Sequence, residues 1–120
     1  SSGILTATTQ NIDLGDNNVY YYTSEAADNW TINFRSNASQ TLNDFLTVGE
    51  STTVAILTTQ GSTAYYNSTV QIDGVNQSVK YYGGVPITSG NPNSIDVYTY
   101  VIIKTAANTY TVLYSQSQYT

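Results

Sequence analysis

The chemistry open to this chain of 120 residues rests on carboxylates, amides and tyrosines, because it contains no histidine and no cysteine. A Ser-His-Asp triad, a thiol nucleophile, a histidine metal site and a thiolate zinc site are therefore excluded. Hydrolysis by a carboxylate pair needs only two Asp or Glu flanking a bond, one of them with a raised pKa. The eight acidic residues are Asp13, Asp16, Glu25, Asp28, Asp44, Glu50, Asp73 and Asp96. Nearly all lie among turn formers, where a short carboxylate serves the local backbone, so the chain reads as non-enzymatic. Asp96 differs because it opens a strongly apolar run. The expectation there is a structural one: a buried carboxylate held by the backbone N–H groups of the Asn91-Pro92-Asn93-Ser94 turn. Asp13, Asp16, Asn17 and Asn18 offer hard oxygen ligands for calcium, but the spacing is not that of an EF-hand loop. A solvated turn is the preferred reading, and no cofactor is expected.

The twelve tyrosines carry a stronger signal, with runs at 20–22, 65–66 and 81–82. Neighbours within a strand point to opposite faces, so one ring of a pair can fill the core while the other meets a sugar, a subunit or water. Tyr65, Tyr66, Tyr81 and Tyr82 are the candidates for a surface aromatic platform that would hold a glycan.

The elements that would position these residues centre on Asn91–Gln116, two β-rich runs broken at Ala106-Ala107-Asn108, which is a hairpin signal. The expected register pairs Thr105 with Thr109, Lys104 with Tyr110, Ile102 with Val112, and Tyr100 with Tyr114. On the other face Ile103 meets Thr111 and Val101 meets Leu113. Both faces are then largely apolar, which implies cover on each side: the domain's own core on one, another strand layer or another subunit on the other. Tyr98, Tyr100, Tyr110 and Tyr114 are the candidate subunit contact.

Upstream, Gly3–Thr9, Val19–Thr23, Trp30–Arg35 and Thr52–Thr59 read as strands. In the third, Trp30, Ile32 and Phe34 share the inward face. Thr41–Leu46 reads as one helical turn. A second hairpin joins Thr69–Asp73 to Gln77–Tyr81 through Asp73-Gly74-Val75-Asn76, where Gly74 can take positive φ. The fold class expected is all-β: one antiparallel β-sandwich of jelly-roll type with about eight strands and at most one short helical turn, a small barrel being the second choice. Residues 1–16 read as an N-terminal strand or arm and 17–120 as the sandwich.

Length supports a single domain. There is no run of about 18 apolar residues for a membrane helix, and Ser1-Ser2-Gly3 lacks the features of a signal peptide. The missing methionine implies a processed product or part of a longer polypeptide, and the missing cysteine suits assembly in a reducing cytosol. Three Lys and Arg stand against eight Asp and Glu, and Arg35, Lys80 and Lys104 are widely spread, so no basic patch exists for nucleic acid. Only 9% of residues are charged, leaving Ser, Thr, Asn, Gln and Tyr to solubilise the surface. Such composition fits adhesins, carbohydrate binders and virion parts better than cytosolic enzymes. Four sequons, at Asn29, Asn37, Asn67 and Asn76, are about what chance supplies in this composition, and no glycosylation is inferred.

Several segments, taken in order, carry a resemblance: Thr41-Leu42-Asn43, Val48-Gly49-Glu50-Ser51-Thr52-Thr53-Val54, Thr59-Gln60-Gly61-Ser62-Thr63-Ala64-Tyr65-Tyr66, Gln71-Ile72-Asp73-Gly74, and Gly90-Asn91-Pro92-Asn93-Ser94-Ile95-Asp96-Val97-Tyr98 through Ile103-Lys104-Thr105. The set resembles a C-terminal domain of virion structural and fibre-like proteins of marine tailed bacteriophages, notably those of cyanobacteria. Ser2-Gly3-Ile4-Leu5-Thr6-Ala7-Thr8 is similar to the short units that precede such domains in fibre chains. The match covers most of residues 18–120 and departs at Tyr81-Tyr82, where the pattern has a tryptophan-containing segment. The resemblance implies a component of the phage particle exterior, assembled in the host cytoplasm, with no catalytic motif. It also implies a fibre or decoration domain with a role in host attachment. Its partners would be other virion proteins and further copies of itself, a trimer among the arrangements.

Overall fold

The computed structural model describes residues 3–120; the first two residues of the expected arm, Ser1 and Ser2, lie outside the described residues. Nine strands follow in order: β1 (Thr9–Asp13), β2 (Val19–Glu25), β3 (Trp30–Arg35), β4 (Ser51–Thr59), β5 (Asn67–Ile72), β6 (Val75–Asn76), β7 (Lys80–Tyr81), β8 (Ile95–Ala106) and β9 (Thr109–Tyr119). A single helical turn, α1 (Leu42–Phe45), and a 3-10 turn at Tyr82–Gly84 complete the chain. They form two layers, a four-stranded sheet β1-β3-β5-β6 and a five-stranded sheet β2-β4-β8-β9-β7.

The two-layer all-β architecture matches the expectation, and the strand directions correct it. Four of the seven pairings are parallel, namely β1–β3, β2–β4, β3–β5 and β7–β9. The arrangement is therefore a mixed sandwich of nine strands, not an antiparallel jelly roll of eight. The cause is local. From β1 to β5 the chain crosses to the other layer after every strand, so successive members of one sheet run the same way. Turn formers such as Asp13-Leu14-Gly15-Asp16-Asn17-Asn18 close these crossings between layers, whereas a hairpin would keep both strands in one sheet.

Two boundaries also move. The first strand is Thr9–Asp13, not Gly3–Thr9, and it pairs with β3, so residues assigned to an arm belong to the four-stranded sheet. The expected strand Gln77–Tyr81 keeps only its last two residues, and the strand that pairs with β5 comes from the expected turn. Val75–Asn76 closes onto β5 through a tight turn in which Asp73 and Gly74 take φ of 51° and 79°, while Lys80–Tyr81 joins β9 in the other layer. Two consecutive positive φ values define a type I′ turn, which Asp-Gly adopts readily.

The β8–β9 hairpin has the register read from sequence, with Tyr100 opposite Tyr114, Ile102 opposite Val112 and Lys104 opposite Tyr110. It departs only at the tip, where Ala106 pairs with Thr109 and Asn108 takes φ 53°, a left-handed position asparagine tolerates. Its inward residues Tyr98, Tyr100, Ile102, Val112 and Tyr114 meet Trp30, Ile32, Phe34, Val70 and Ile72 of the other layer. Trp30 packs edge-on to Tyr98 at 5.5 Å and Phe34 edge-on to Tyr100 at 4.9 Å, geometries worth about 1 kcal/mol each beyond burial. Tyr114 stacks on Tyr100 at 4.8 Å and on Tyr98 at 5.9 Å.

Asn67 satisfies the hydroxyls of this stack. Its Oδ1 accepts from Tyr100 Oη (2.8 Å) and its carbonyl accepts from Tyr114 Oη (3.0 Å), while its Nδ2 donates to the carbonyls of Trp30 and Thr69 (2.9 Å each). Replacing Asn67 by Ala leaves a buried hydroxyl and two carbonyls short of partners, so Asn67→Ala is expected to destabilise the chain by about 3 kcal/mol. Urea denaturation measures this, and Ser68→Ala, on the exposed neighbour, is expected to cost less than about 1 kcal/mol.

Candidate functional site

The pairing registers place side chains in rows across the outer face of the five-stranded sheet. One row is Tyr21, Leu57, Val97 and Ser117; the next is Val19, Ala55, Thr99 and Ser115; the third is Thr53, Val101, Leu113 and Lys80. Ile103 extends the face toward the hairpin tip and Ile95 toward the other end. Val19, Tyr21 and Leu113 are 55%, 39% and 41% exposed, and at the β7 edge Tyr82 of the 3-10 turn borders a cleft with Thr99, Val101 and Leu113. Its interior holds only aliphatic, aromatic and small hydroxyl side chains; the charges stand at the margins, Lys80 on β7 and Glu25 at the bulge ending β2.

The opposite outer face, on the four-stranded sheet, is a polar ladder. Thr9, Thr31 and Thr69 form one row, and Asn11, Asn33, Gln71 and Asn76 the next. Asn33 donates to Asn11 (3.0 Å), Gln71 donates to Asn76 (2.9 Å), and Arg35 Nε pairs with Asp13 at 2.7 Å. These groups already bond one another, which leaves a hydrated surface.

Of the residues singled out as a subunit contact, Tyr98, Tyr100 and Tyr114 are at most 3% exposed and lie inside the sandwich, so their rings fill the chain's own core and present no surface to a neighbour. Tyr110 sits half-buried near the hairpin tip. Among the candidates for an aromatic platform only Tyr82 stands clear, at 85% exposed. Tyr65 and Tyr66 pack partly against the core, and Tyr81 leans on Tyr114 at 5.8 Å. The four do not make a row. Gly74 holds the β5–β6 turn and Trp30 is buried in the core.

Asp96 is fully buried and accepts from Asn91 N (2.9 Å), Asn91 Nδ2 (2.7 Å) and Gln60 Nε2 (3.1 Å). Gln60 also bonds both backbone groups of Tyr65, and Gly90 packs so closely on the Tyr65 carbonyl that a Cβ there would collide with it. This network clips the 60–66 and 90–96 loops together. None of the described surface clefts is lined by two carboxylates; Asp73 is the one that lines any. At the calcium candidate, Asp13 is engaged by Arg35, Asn17 Oδ1 accepts from Asn18 N and Val19 N, and Asn18 Nδ2 donates to Thr52 and Thr53. No cluster of three acidic residues able to hold a metal occurs among the described residues.

Lys104, placed opposite Tyr110 by the hairpin register, is a tether between elements. It is 7% exposed and its Nζ donates to the carbonyls of Asn43 (2.6 Å) and Leu46 (2.9 Å), tying α1 to β8. Its inward parity with Tyr100 and Ile102 was the available signal. Comparison of the chain with protein-family models, with curated proteins and with solved structures finds no match.

Burial raises the pKa of Tyr98, Tyr100 and Tyr114, reinforced by neighbouring tyrosines at Tyr100 and Tyr114 and by Asp96 at Tyr98. Above pH about 10 an unfolded tyrosine releases its proton while these three keep theirs. The folded state then binds more protons than the unfolded one, so stability falls as pH rises past about 10. In an alkaline titration, tyrosinate absorbance from these rings is expected to appear only together with loss of the β-sheet circular dichroism signal. Their ionisation in a chain that keeps its β signal would contradict the burial described above.

Proposed function

We propose that this domain is a non-enzymatic structural module of a bacteriophage virion, a fibre or decoration domain, that assembles with further copies of itself. The observation that carries the reading is the outer face of the five-stranded sheet, whose centre holds no charged side chain. An apolar patch of this extent, even interspersed with small hydroxyls, stands at the upper end of what a monomer exposes and marks an interaction surface. Four strands about 4.8 Å apart and the nine residues of β4 give it a projected area of roughly 600 Å². That approaches the roughly 800 Å² per partner of a standard interface.

Charge favours a second copy as the occupant. Each chain carries a net charge of −5, so two copies repel through most of their surface and can approach only on a neutral face. The rows centred on Leu57, Ala55 and Val101 supply one, and their small hydroxyl neighbours permit close packing of sheet on sheet at about 10 Å. The polar ladder on the other layer stays in water and keeps the assembly soluble. The resemblance of the ordered segments to phage fibre domains supports the same reading, with a trimer among the arrangements it implies.

Light scattering across a concentration series tests it. The chain is expected to give a defined multiple of the monomer mass. Val101→Asp is expected to weaken association by at least about 100-fold while costing the fold less than about 1 kcal/mol. Thr9→Asp, on the other layer, is expected to leave association unchanged. A monomer at every concentration, or oligomers indifferent to Val101→Asp, would contradict the proposal.

A further inference from the structure

Beside the hairpin tip, away from the docking face, a cleft of about 280 Å³ opens between the layers. Its walls mix apolar and polar groups: Tyr110 and Val75 on one hand, Thr41, Asp73, Gln77 and Asn108 on the other. The Tyr110 hydroxyl is buried and has no hydrogen-bond partner among the described residues. An unpaired buried hydroxyl costs on the order of 1–3 kcal/mol, and the residue that carries it lines the cleft.

The polar groups around it are held in place with capacity to spare. The Asp73 carboxylate accepts from Leu42 N (2.7 Å) and Asn43 N (3.1 Å), and each oxygen retains a lone pair. Thr41 Oγ1 accepts from Asp44 N and still has its own proton to donate. Gln77 Nε2 donates to the Val75 carbonyl, which leaves its Oε1 to accept. Asn108 is fixed through its backbone N–H to Asn43 Oδ1 (2.8 Å), and its side-chain amide is outside that bond. Across Asp73 and Thr41 lies a second cleft of about 330 Å³, lined by Arg35, Asn37 and Gln40.

We propose that these adjoining clefts bind a neutral oligosaccharide, one sugar ring against Tyr110 and Val75 and the next beside Gln40 and Asn37. A sugar presents an apolar C–H face to an aromatic ring and vicinal hydroxyls that both donate and accept, which is the pattern of groups gathered here. Each cleft is near the lower size of a small-ligand pocket, enough for one ring. Anionic ligands are disfavoured because Asp73 and Asp44 both act on the Tyr110 hydroxyl, and Arg35 is already paired with Asp13. None of the residues at the centre of the docking face lines either cleft, so the site works in monomer and oligomer alike.

The test is a screen of the full chain on an array of neutral oligosaccharides, followed by NMR titration with the free forms of the best binders. Amide shifts are expected to concentrate at Gln77, Asn108 and Tyr110, with affinity in the millimolar to micromolar range. The double variant Gln77→Ala, Asn108→Gly removes two exposed amides and keeps the left-handed turn. It is expected to weaken binding at least about tenfold with an unchanged circular dichroism spectrum. Val101→Asp is expected to bind as the parent does, which separates this proposal from the assembly reading. Silence on the array, shifts confined to other surfaces, or a double variant that binds as tightly as the parent would overturn it.

Discussion

The hydroxyl groups of Tyr100 and Tyr114 meet inside the sandwich at Asn67, and the two-layer arrangement depends on that meeting. Large aromatic rings let a small domain bury much area, but each tyrosine carries a polar atom that destabilises the core unless it is bonded. Asn67 answers this from the opposite layer. It faces inward because the β3–β5 register shifts between Trp30 and Thr31, so that Asn67 pairs with Trp30 while Thr69 pairs with Thr31. Without that shift its parity would match Thr69 and Gln71 on the outer face. One irregularity in a parallel pair thus joins the sheets by hydrogen bonds as well as by packing.

Filling the interior with one face of the β8–β9 hairpin determines what its other face can be. Val97, Thr99, Val101 and Ile103 alternate with the buried residues and necessarily point away from the core. On the four-stranded sheet the corresponding outward positions are threonines and a row of asparagine and glutamine in which Asn33 bonds Asn11 and Gln71 bonds Asn76. The two outer surfaces therefore differ in kind: one is a ladder of amides and hydroxyls, the other sets only small hydroxyls among apolar side chains and has apolar area to cover. We read this asymmetry as the basis of assembly, with the clefts around Asp73 left open at the end of the sandwich.

The legible part of this structure was whatever alternation and side-chain type report. Trp30, Ile32 and Phe34 announced an inward face, the β8–β9 register followed from its turn, and Asp-Gly marked the tight turn after β5. Pairing direction was not legible, because a stretch such as Ser24-Glu25-Ala26-Ala27-Asp28-Asn29 is as good a crossing between layers as a hairpin loop. β1 was misplaced because only Ile12 in it points to the core, its other residues being polar or facing outward. Alternation gives the hairpin two apolar faces, but which of them the core takes depends on the partner sheet, so Tyr98, Tyr100 and Tyr114 read equally well as a contact with a neighbour. Asn67 read as a chance sequon, since nothing local distinguishes a buried hub from a surface asparagine.

The most direct test of this account is a structure of the assembled protein, by electron cryo-microscopy of the oligomer or of a particle that carries it. Burial of Leu57, Val97, Val101 and Leu113 of one copy against the same sheet face of another, with Asn11, Gln71 and Asn76 left in solvent, is the predicted result. An assembly that leaves that face open to water and makes its contacts through the amide ladder would contradict it.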